Sequence, residues 1–156
     1  LEDLRESAAT VSAILDGEMQ LHVTFCAQWG ITEEQMAATP EDPANMAYTR
    51  YVLERGLAGD GLDLAVALAP CIVGYAEVAT FLKSNRDTVL DGNPYLEWIE
   101  TYAADDYQDV AWGHAAQLDR LMAARGGPGR IPALSKTFHD ATRLQIGFWQ
   151  MGLARV

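Results

Sequence analysis

Apolar residues recur at steps of three and four along most of the chain, which is the spacing of one face of an α-helix. Near the start, Val11, Leu15, His22 and Phe25 follow this spacing and predict one amphipathic helix over about residues 4–28, ended by Gly30. No segment shows the strict alternation of a half-buried strand. The pattern therefore predicts an all-α fold.

Turn residues divide the rest of the pattern into further helices. Thr32 is the predicted N-cap of a short helix, and Pro94 suits the first position of a helix with Tyr95, Trp98 and Tyr102 on one side. The other predicted helices lie at about residues 44–55, 62–85, 106–125 and 132–155. Clusters of glycine and proline separate them, as expected for helix-breaking turns.

The length and composition place the whole chain, residues 1–156, in one globular domain, with 49% hydrophobic and 21% charged residues. A net charge of −11 argues against nucleic acid or an anionic membrane surface as a partner, because both attract basic surfaces. No membrane span or signal peptide is predicted. The two cysteines, Cys26 and Cys71, lack the spacing of a disulfide scaffold, so a cytoplasmic location is expected.

The most informative residue is Cys71, which follows Pro70 inside a long apolar run. Proline inside a helix costs about 3 kcal/mol, because it removes a backbone hydrogen bond and clashes with the preceding turn. Its place beside a thiol suggests a helix bent to direct the sulfur. Tyr75 lies one turn further along the same face. A buried cysteine can equally be a small hydrophobic core residue.

Metal and nucleotide sites are not indicated. Helical di-iron proteins use Glu-x-x-His motifs, and this chain has none among His22, His114 and His139. Glu18 and His22 are one turn apart, and a local polar pair is the simpler interpretation. Walker and dinucleotide-binding patterns are absent from the sequence. The prediction is therefore no metal and no cofactor.

Four aromatic residues lie on four different predicted helices, each within an apolar face. They are Tyr48, Tyr75, Tyr102 and Phe148. Tyrosines at helical spacing are usually core residues with a hydrogen-bonded hydroxyl. The same residues could line a slot for a flat heteroaromatic ligand. Composition alone does not choose between these readings.

Read together, four stretches resemble the TenA/THI-4 family, also called thiaminase II. They are Ala47-Tyr-Thr-Arg-Tyr51, Ala67-Leu-Ala-Pro-Cys-Ile-Val-Gly-Tyr75 followed by Glu77, Pro94-Tyr-Leu-Glu-Trp-Ile-Glu-Thr-Tyr102, and Phe138-His-Asp-Ala-Thr-Arg-Leu-Gln-Ile-Gly-Phe-Trp-Gln-Met151. Their order and spacing fit along nearly the whole chain. The resemblance implies a haem-oxygenase-like helical bundle that binds no haem and assembles as a homotetramer.

The activity implied by this resemblance is hydrolysis of aminopyrimidines in thiamin salvage. The substrate would be 4-amino-5-aminomethyl-2-methylpyrimidine and, less efficiently, thiamin itself. Cys71 matches the family's nucleophile, and Tyr75 and Tyr102 match tyrosines around the thiol. Tyr48 and Phe148 match aromatic residues that sandwich the pyrimidine ring. Thiolate addition to the ring would let the neighbouring methylene expel its amine, as in other covalent catalysis.

The chain departs from the family pattern in two ways. Gln145 stands where the family has a glutamate that supports protonation of the pyrimidine, and an amide cannot exchange a proton at neutral pH. The family also has additional N-terminal helices with an aspartate and a tyrosine that hold the aminopyrimidine, and this chain begins after them. A family member that binds a pyrimidine or another heteroaromatic without turnover is the alternative function. An oxygen-dependent member of the fold class is a third, disfavoured by the few metal ligands.

Overall fold

The computed structural model describes residues 2–154, without the side chains of residues 2, 3, 6 and 13, and these residues form helices and turns with no strand. The α-helices are α1 (Glu2–Ala13), α2 (Met19–Gln28), α3 (Glu33–Ala38), α4 (Pro43–Ala58), α5 (Gly61–Ser84), α6 (Leu96–Tyr102), α7 (Asp105–Arg125) and α8 (Ile131–Leu153). The all-α prediction is confirmed. The predicted end of the last helix at Arg155 lies outside the described residues.

The chain divides into two compact units, of which the first is Leu1–Glu41. A π-helical turn, Ile14–Glu18, separates α1 from α2, so the predicted continuous helix over residues 4–28 is wrong at this point. Gly17 lies within the turn, and glycine favours a regular helix less than other residues except proline. The predicted N-cap is confirmed, since Thr32 Oγ1 accepts from the Gln35 backbone N–H and the Gln35 side chain accepts from Thr32 N–H.

The second unit, Asp42–Val156, is built around α5, which packs against α4, α6, α7 and α8. One core cluster joins α4, α5 and α8 through buried Tyr48, Val52, Ala67 and Ala141. A second cluster, between α5, α7 and α8, contains Leu62, Ala65, Leu121 and Leu134. Small residues on α5 let the neighbouring helices approach its backbone closely.

Helix α5 has a mean hydropathy of 1.8 over an 18-residue window, enough by length and composition to cross a membrane, and it is alone in this among the described helices. No membrane span was predicted from the sequence, although α5 meets this criterion. Four helices contact α5 in the structure, which is the environment of the core helix of a globular protein. The hydropathy therefore reflects its central place in the second unit.

Two local features determine where α5 and α6 begin. Asp60 caps α5 by accepting from the Leu62 and Asp63 backbone N–H groups. Helix α6 begins at Leu96 instead of the predicted Pro94. The reason is a turn at Asn93, whose side chain accepts from Tyr95 N–H at 2.9 Å and donates to the Val89 carbonyl at 2.8 Å.

Candidate functional site

Cys71 lies in the middle of α5, which continues through Pro70 without a break. Its side chain is half-buried and packs against the core cluster that contains Tyr48 and Ala141. The Sγ–H group donates to the Leu68 carbonyl at 3.1 Å. The thiol therefore lies where three helices, α4, α5 and α8, come together.

Tyr48 brings a hydroxyl from α4 to the same place. Its helix is fixed at the start by Pro43 and by Asp42, whose carboxylate accepts from the Ala44 N–H. Tyr48 is only 8% exposed. Burial, and secondarily the neighbouring Cys71 and Tyr75, raise the pKa of Tyr48 well above its usual range, so its hydroxyl stays protonated. It lies beside Cys71, but no group in the part of the chain that the structure describes meets hydrogen-bond geometry with this buried hydroxyl.

Gln145 and Tyr75 bring a second polar pair from α8 and α5. The Gln145 Nε2 amide donates to the Tyr75 hydroxyl at 3.5 Å, which is a long hydrogen bond. Gln145 is 6% exposed, and its Oε1 atom has no hydrogen-bond partner among residues 2–154. An acceptor oxygen is thus left buried close to the Tyr75 hydroxyl.

Aromatic rings surround Tyr75 on its other sides. Its ring centroid lies 5.3 Å from that of Tyr102, 5.8 Å from Trp98 and 5.2 Å from Trp149. The ring centroid of Trp98 lies 4.7 Å from that of Tyr102 and 5.3 Å from that of Trp149, which it meets edge-on. These tilted and edge-on arrangements are favoured between aromatic rings and hold Tyr75 in place.

Five of the six residues singled out from the sequence fall into two contacting sets, Tyr48 with Cys71, and Gln145 with Tyr75 and Tyr102. Phe148 is half-buried on α8, three residues after Gln145 and therefore on a similar helix face. Its part in the site stays a prediction.

Sequence reasoning assigned no role to Trp98, Trp149 or Tyr107, which extend the aromatic cluster. Trp98 could have been found from its spacing, because it lies one turn before Tyr102. Trp149 could have been found in the same way, because it lies one turn after Gln145 and therefore on the same face of α8. Tyr107, on α7, packs edge-on against Tyr102 at 4.6 Å.

The histidines lie elsewhere. His22 Nε2 and Glu18 Oε1 are 3.7 Å apart in the first unit, the local pair that their spacing predicts. His114 on α7 donates to the Ala65 carbonyl at 3.0 Å, and burial lowers its pKa. Within residues 2–154, no three His, Cys, Asp or Glu side chains are grouped so that they could hold a metal ion.

The family model described as TENA/THI-4/PQQC matches residues 1–155. The chain belongs to this family. The resemblance found in the sequence motifs is thereby confirmed. The chain is also 40% identical over 140 residues to an uncharacterized protein of Haemophilus influenzae, and the match covers 90% of this chain and 64% of that protein. An aminopyrimidine aminohydrolase of Halalkalibacterium halodurans is 32% identical over 152 residues, covering 97% of this chain and 66% of the enzyme.

A crystal structure described as a TenA family transcription regulator from Silicibacter sp. TM1040 superposes with a TM-score of 0.83 at 45% identity. The match covers 94% of this chain and 65% of the other. The chain thus spans about two thirds of the length of these family members. The helical fold described above is therefore the fold of this family over the matched residues.

Proposed function

We propose that this protein hydrolyses aminopyrimidines in thiamin salvage, with 4-amino-5-aminomethyl-2-methylpyrimidine as substrate and Cys71 as nucleophile. The observation that carries the proposal is the pair of buried polar atoms without partners, Tyr48 Oη and Gln145 Oε1, close to Cys71 and Tyr75. Such atoms are rare in folded proteins, because each lost hydrogen bond costs about 1–3 kcal/mol. A ligand that supplies one acceptor and one donor removes this cost.

An aminopyrimidine offers that combination. Its ring nitrogens accept hydrogen bonds, and its amino group donates them. In the proposed complex the Tyr48 hydroxyl donates to a ring nitrogen, and Gln145 Oε1 accepts from an N–H group. Phe148 would pack against a ring face, Tyr102 would support Tyr75 from within the aromatic cluster, and Tyr75 would hold the amide of Gln145. Tyr48 would then bind through its hydroxyl instead of by the stacking that the family resemblance implies. The family relative named aminopyrimidine aminohydrolase supports this substrate class.

The proposed reaction begins with loss of the Cys71 thiol proton and addition of the thiolate to C6 of the pyrimidine. The electron pair displaced from the ring then breaks the bond between the C5-methylene carbon and its nitrogen, and ammonia leaves after taking up a proton. Water adds to the exocyclic carbon and gives up a proton, the C6–S bond breaks, and the aromatic ring re-forms. The net change exchanges an amino group for a hydroxyl group.

Gln145 makes this reaction slow in our proposal. Its amide can orient the ring but cannot carry a proton, so water or a tyrosine hydroxyl must do so. The same observation supports the second candidate, a protein that binds the pyrimidine without turning it over. A role in transcription, suggested by the description of the Silicibacter structure, has less support, because the net charge of −11 opposes contact with DNA phosphates.

We further propose a cytoplasmic homotetramer, following the family resemblance. Many large apolar side chains of the second unit are exposed, including Leu57 at 87%, Phe81 at 62% and Trp112 at 57%. Exposed apolar side chains favour association when they form a continuous patch. Sedimentation analysis would determine the subunit number.

The test of the proposed function compares Cys71→Ser with Cys26→Ser. Steady-state release of ammonia from the aminomethylpyrimidine should fall at least a thousandfold in Cys71→Ser, while Cys26→Ser, altered in the other unit, should stay within twofold of the wild type. Calorimetry should show that all three proteins bind the pyrimidine. Equal losses in both variants would mean a loss of stability and contradict the proposal. Binding without turnover in the wild type would establish the second candidate.

A further inference from the structure

Tyr107 joins the backbone beside Cys71 to the aromatic cluster. From α7, its hydroxyl donates to the carbonyl of Ile72 at 3.2 Å, and its ring packs edge-on against Tyr102 at 4.6 Å. Ile72 follows Cys71 directly on α5, and Tyr102 contacts Tyr75. One half-buried side chain thus reaches two of the elements that form the candidate site.

Two other α7 side chains bind the backbone of α5 in the same way. Gln108 Nε2 donates to the carbonyl of Ala76 at 3.2 Å and also to that of Tyr102 at 2.9 Å. His114 Nε2 donates to the carbonyl of Ala65 at 3.0 Å, since a carbonyl can only accept. The carbonyls held by α7 therefore lie on both sides of Cys71 along α5.

Pro70 weakens α5 on the N-terminal side of Cys71, where the bond from residue 70 to the Val66 carbonyl is missing, while Tyr107 acts on the C-terminal side. A proline within a helix has no N–H group, so the helix lacks one of its internal hydrogen bonds here and is more easily distorted. The bond from Tyr107 is the one that acts nearest to Cys71, on the carbonyl of the next residue. It restrains the turn that carries the thiol.

We propose that Tyr107 is a positioning residue, which holds the Cys71 turn of α5 through the Ile72 carbonyl and orients Tyr75 through Tyr102. Its kinetic consequence rests on the proposed function, whereas its effect on the thiol does not. Loss of the hydroxyl would let the turn open more often. The thiol would then react faster with an added reagent, but it would be less well placed for a bound pyrimidine.

The test is Tyr107→Phe, which keeps the ring and removes only the hydroxyl. We expect kcat for the aminomethylpyrimidine to fall roughly three- to tenfold, the range for one hydrogen bond, with KM within twofold of wild type. Alkylation of Cys71 by iodoacetamide, followed by mass spectrometry, should accelerate at least twofold relative to Cys26 in the same molecules. Tyr95→Phe, at an exposed tyrosine, is the control and should change neither measurement.

An unchanged ratio of Cys71 to Cys26 alkylation would overturn the inference, whatever the effect on kcat. Equal acceleration at both cysteines together with a lower melting temperature would also overturn it, because it would indicate general destabilisation. If the wild-type protein does not hydrolyse the pyrimidine, the proposed function fails. The alkylation ratio would still decide the role of Tyr107 by itself.

Discussion

The start of α5 and its middle, around Cys71, differ in how their polar groups are paired. At the start of the helix, Arg130 donates to Asp60 at 2.9 Å, to Asp63 at 2.7 Å and to the Arg125 carbonyl at 2.9 Å. Around Cys71, by contrast, the Tyr48 hydroxyl and Gln145 Oε1 are buried with no hydrogen-bond partner among the described residues. The first arrangement holds the turns between helices together. The second is costly for the free protein, and in our proposal a bound pyrimidine supplies the missing partners.

The largest effect on turnover is expected from Gln145→Glu. A carboxyl group can exchange a proton with the pyrimidine, and general acid–base groups typically contribute about 10²–10⁴ in rate. Turnover of the aminomethylpyrimidine should rise at least tenfold in steady-state assays. Binding measured by calorimetry should change only a few-fold, since the two side chains have similar shape.

Gln150→Glu is the matched control, because it adds the same charge to an exposed position of α8. Its turnover should equal that of the wild type. If the wild type is already as fast as Gln145→Glu, another residue supplies the proton. Our interpretation of Gln145 would then be wrong.

A smaller effect is expected from Tyr48→Phe, and it should separate binding from stability. The lost hydroxyl has no hydrogen-bond partner in the described part of the chain, so the free energy of unfolding should stay the same or rise slightly. Affinity for the pyrimidine should fall about three- to tenfold, corresponding to one hydrogen bond. Chemical denaturation and calorimetry measure the two quantities. Tyr51→Phe, one turn further along α4, should alter neither.

If Tyr48→Phe instead destabilises the protein and leaves pyrimidine affinity unchanged, the hydroxyl serves the fold. The start of α5 and the region around Cys71 would then not differ in the way we propose.

The smallest effect is expected at the start of α5, from Asp60→Asn. Asparagine still caps a helix, so this change removes the charge pairing with little effect on the cap. The hydrogen bond from Arg130 lowers the pKa of Asp60 from 3.8 to about 2. Because the pKa is lower in the folded state, the stabilisation is complete above pH 3.8 and disappears as the pH falls towards about 2.

Thermal melts at several pH values test this prediction. At pH 6 the variant should melt a few degrees below the wild type at most, since Asp60 is about one third exposed and solvent weakens the pair. The difference should shrink below pH 3.8. Asp109→Asn, on the exposed face of α7, should show no such pH dependence. Loss of pyrimidine binding in Asp60→Asn would contradict the assignment of this end to stability.

The helical pattern predicted most of the fold, but it missed the π-helical turn and the start of α6. Thr32 was recognisable as a cap because its signal is local. The π-helical turn around Gly17 could not be predicted, because the apolar spacing continues through it. The start of α6 was missed since Asn93 folds back on the neighbouring backbone, which leaves Pro94 within a turn.

The candidate site was predictable to the extent that its residues carry motifs. Cys71 stands out because it follows Pro70 inside an apolar helical run, and the tyrosines were noted on apolar helix faces before the family resemblance gave them roles. The contacts of Tyr107 depend on how α7 packs against α5, which spacing along one helix does not determine. The buried atoms without partners, Tyr48 Oη and Gln145 Oε1, likewise become visible only when all side chains are placed.

The most direct test of the central claim is incubation of the wild-type protein with the aminomethylpyrimidine in ¹⁸O-labelled water. We expect equal amounts of ammonia and hydroxymethylpyrimidine, with one ¹⁸O atom in each hydroxymethylpyrimidine molecule, and formation that depends on Cys71. Bound pyrimidine recovered unchanged, with no ammonia released, would contradict the account and leave a binding protein in its place.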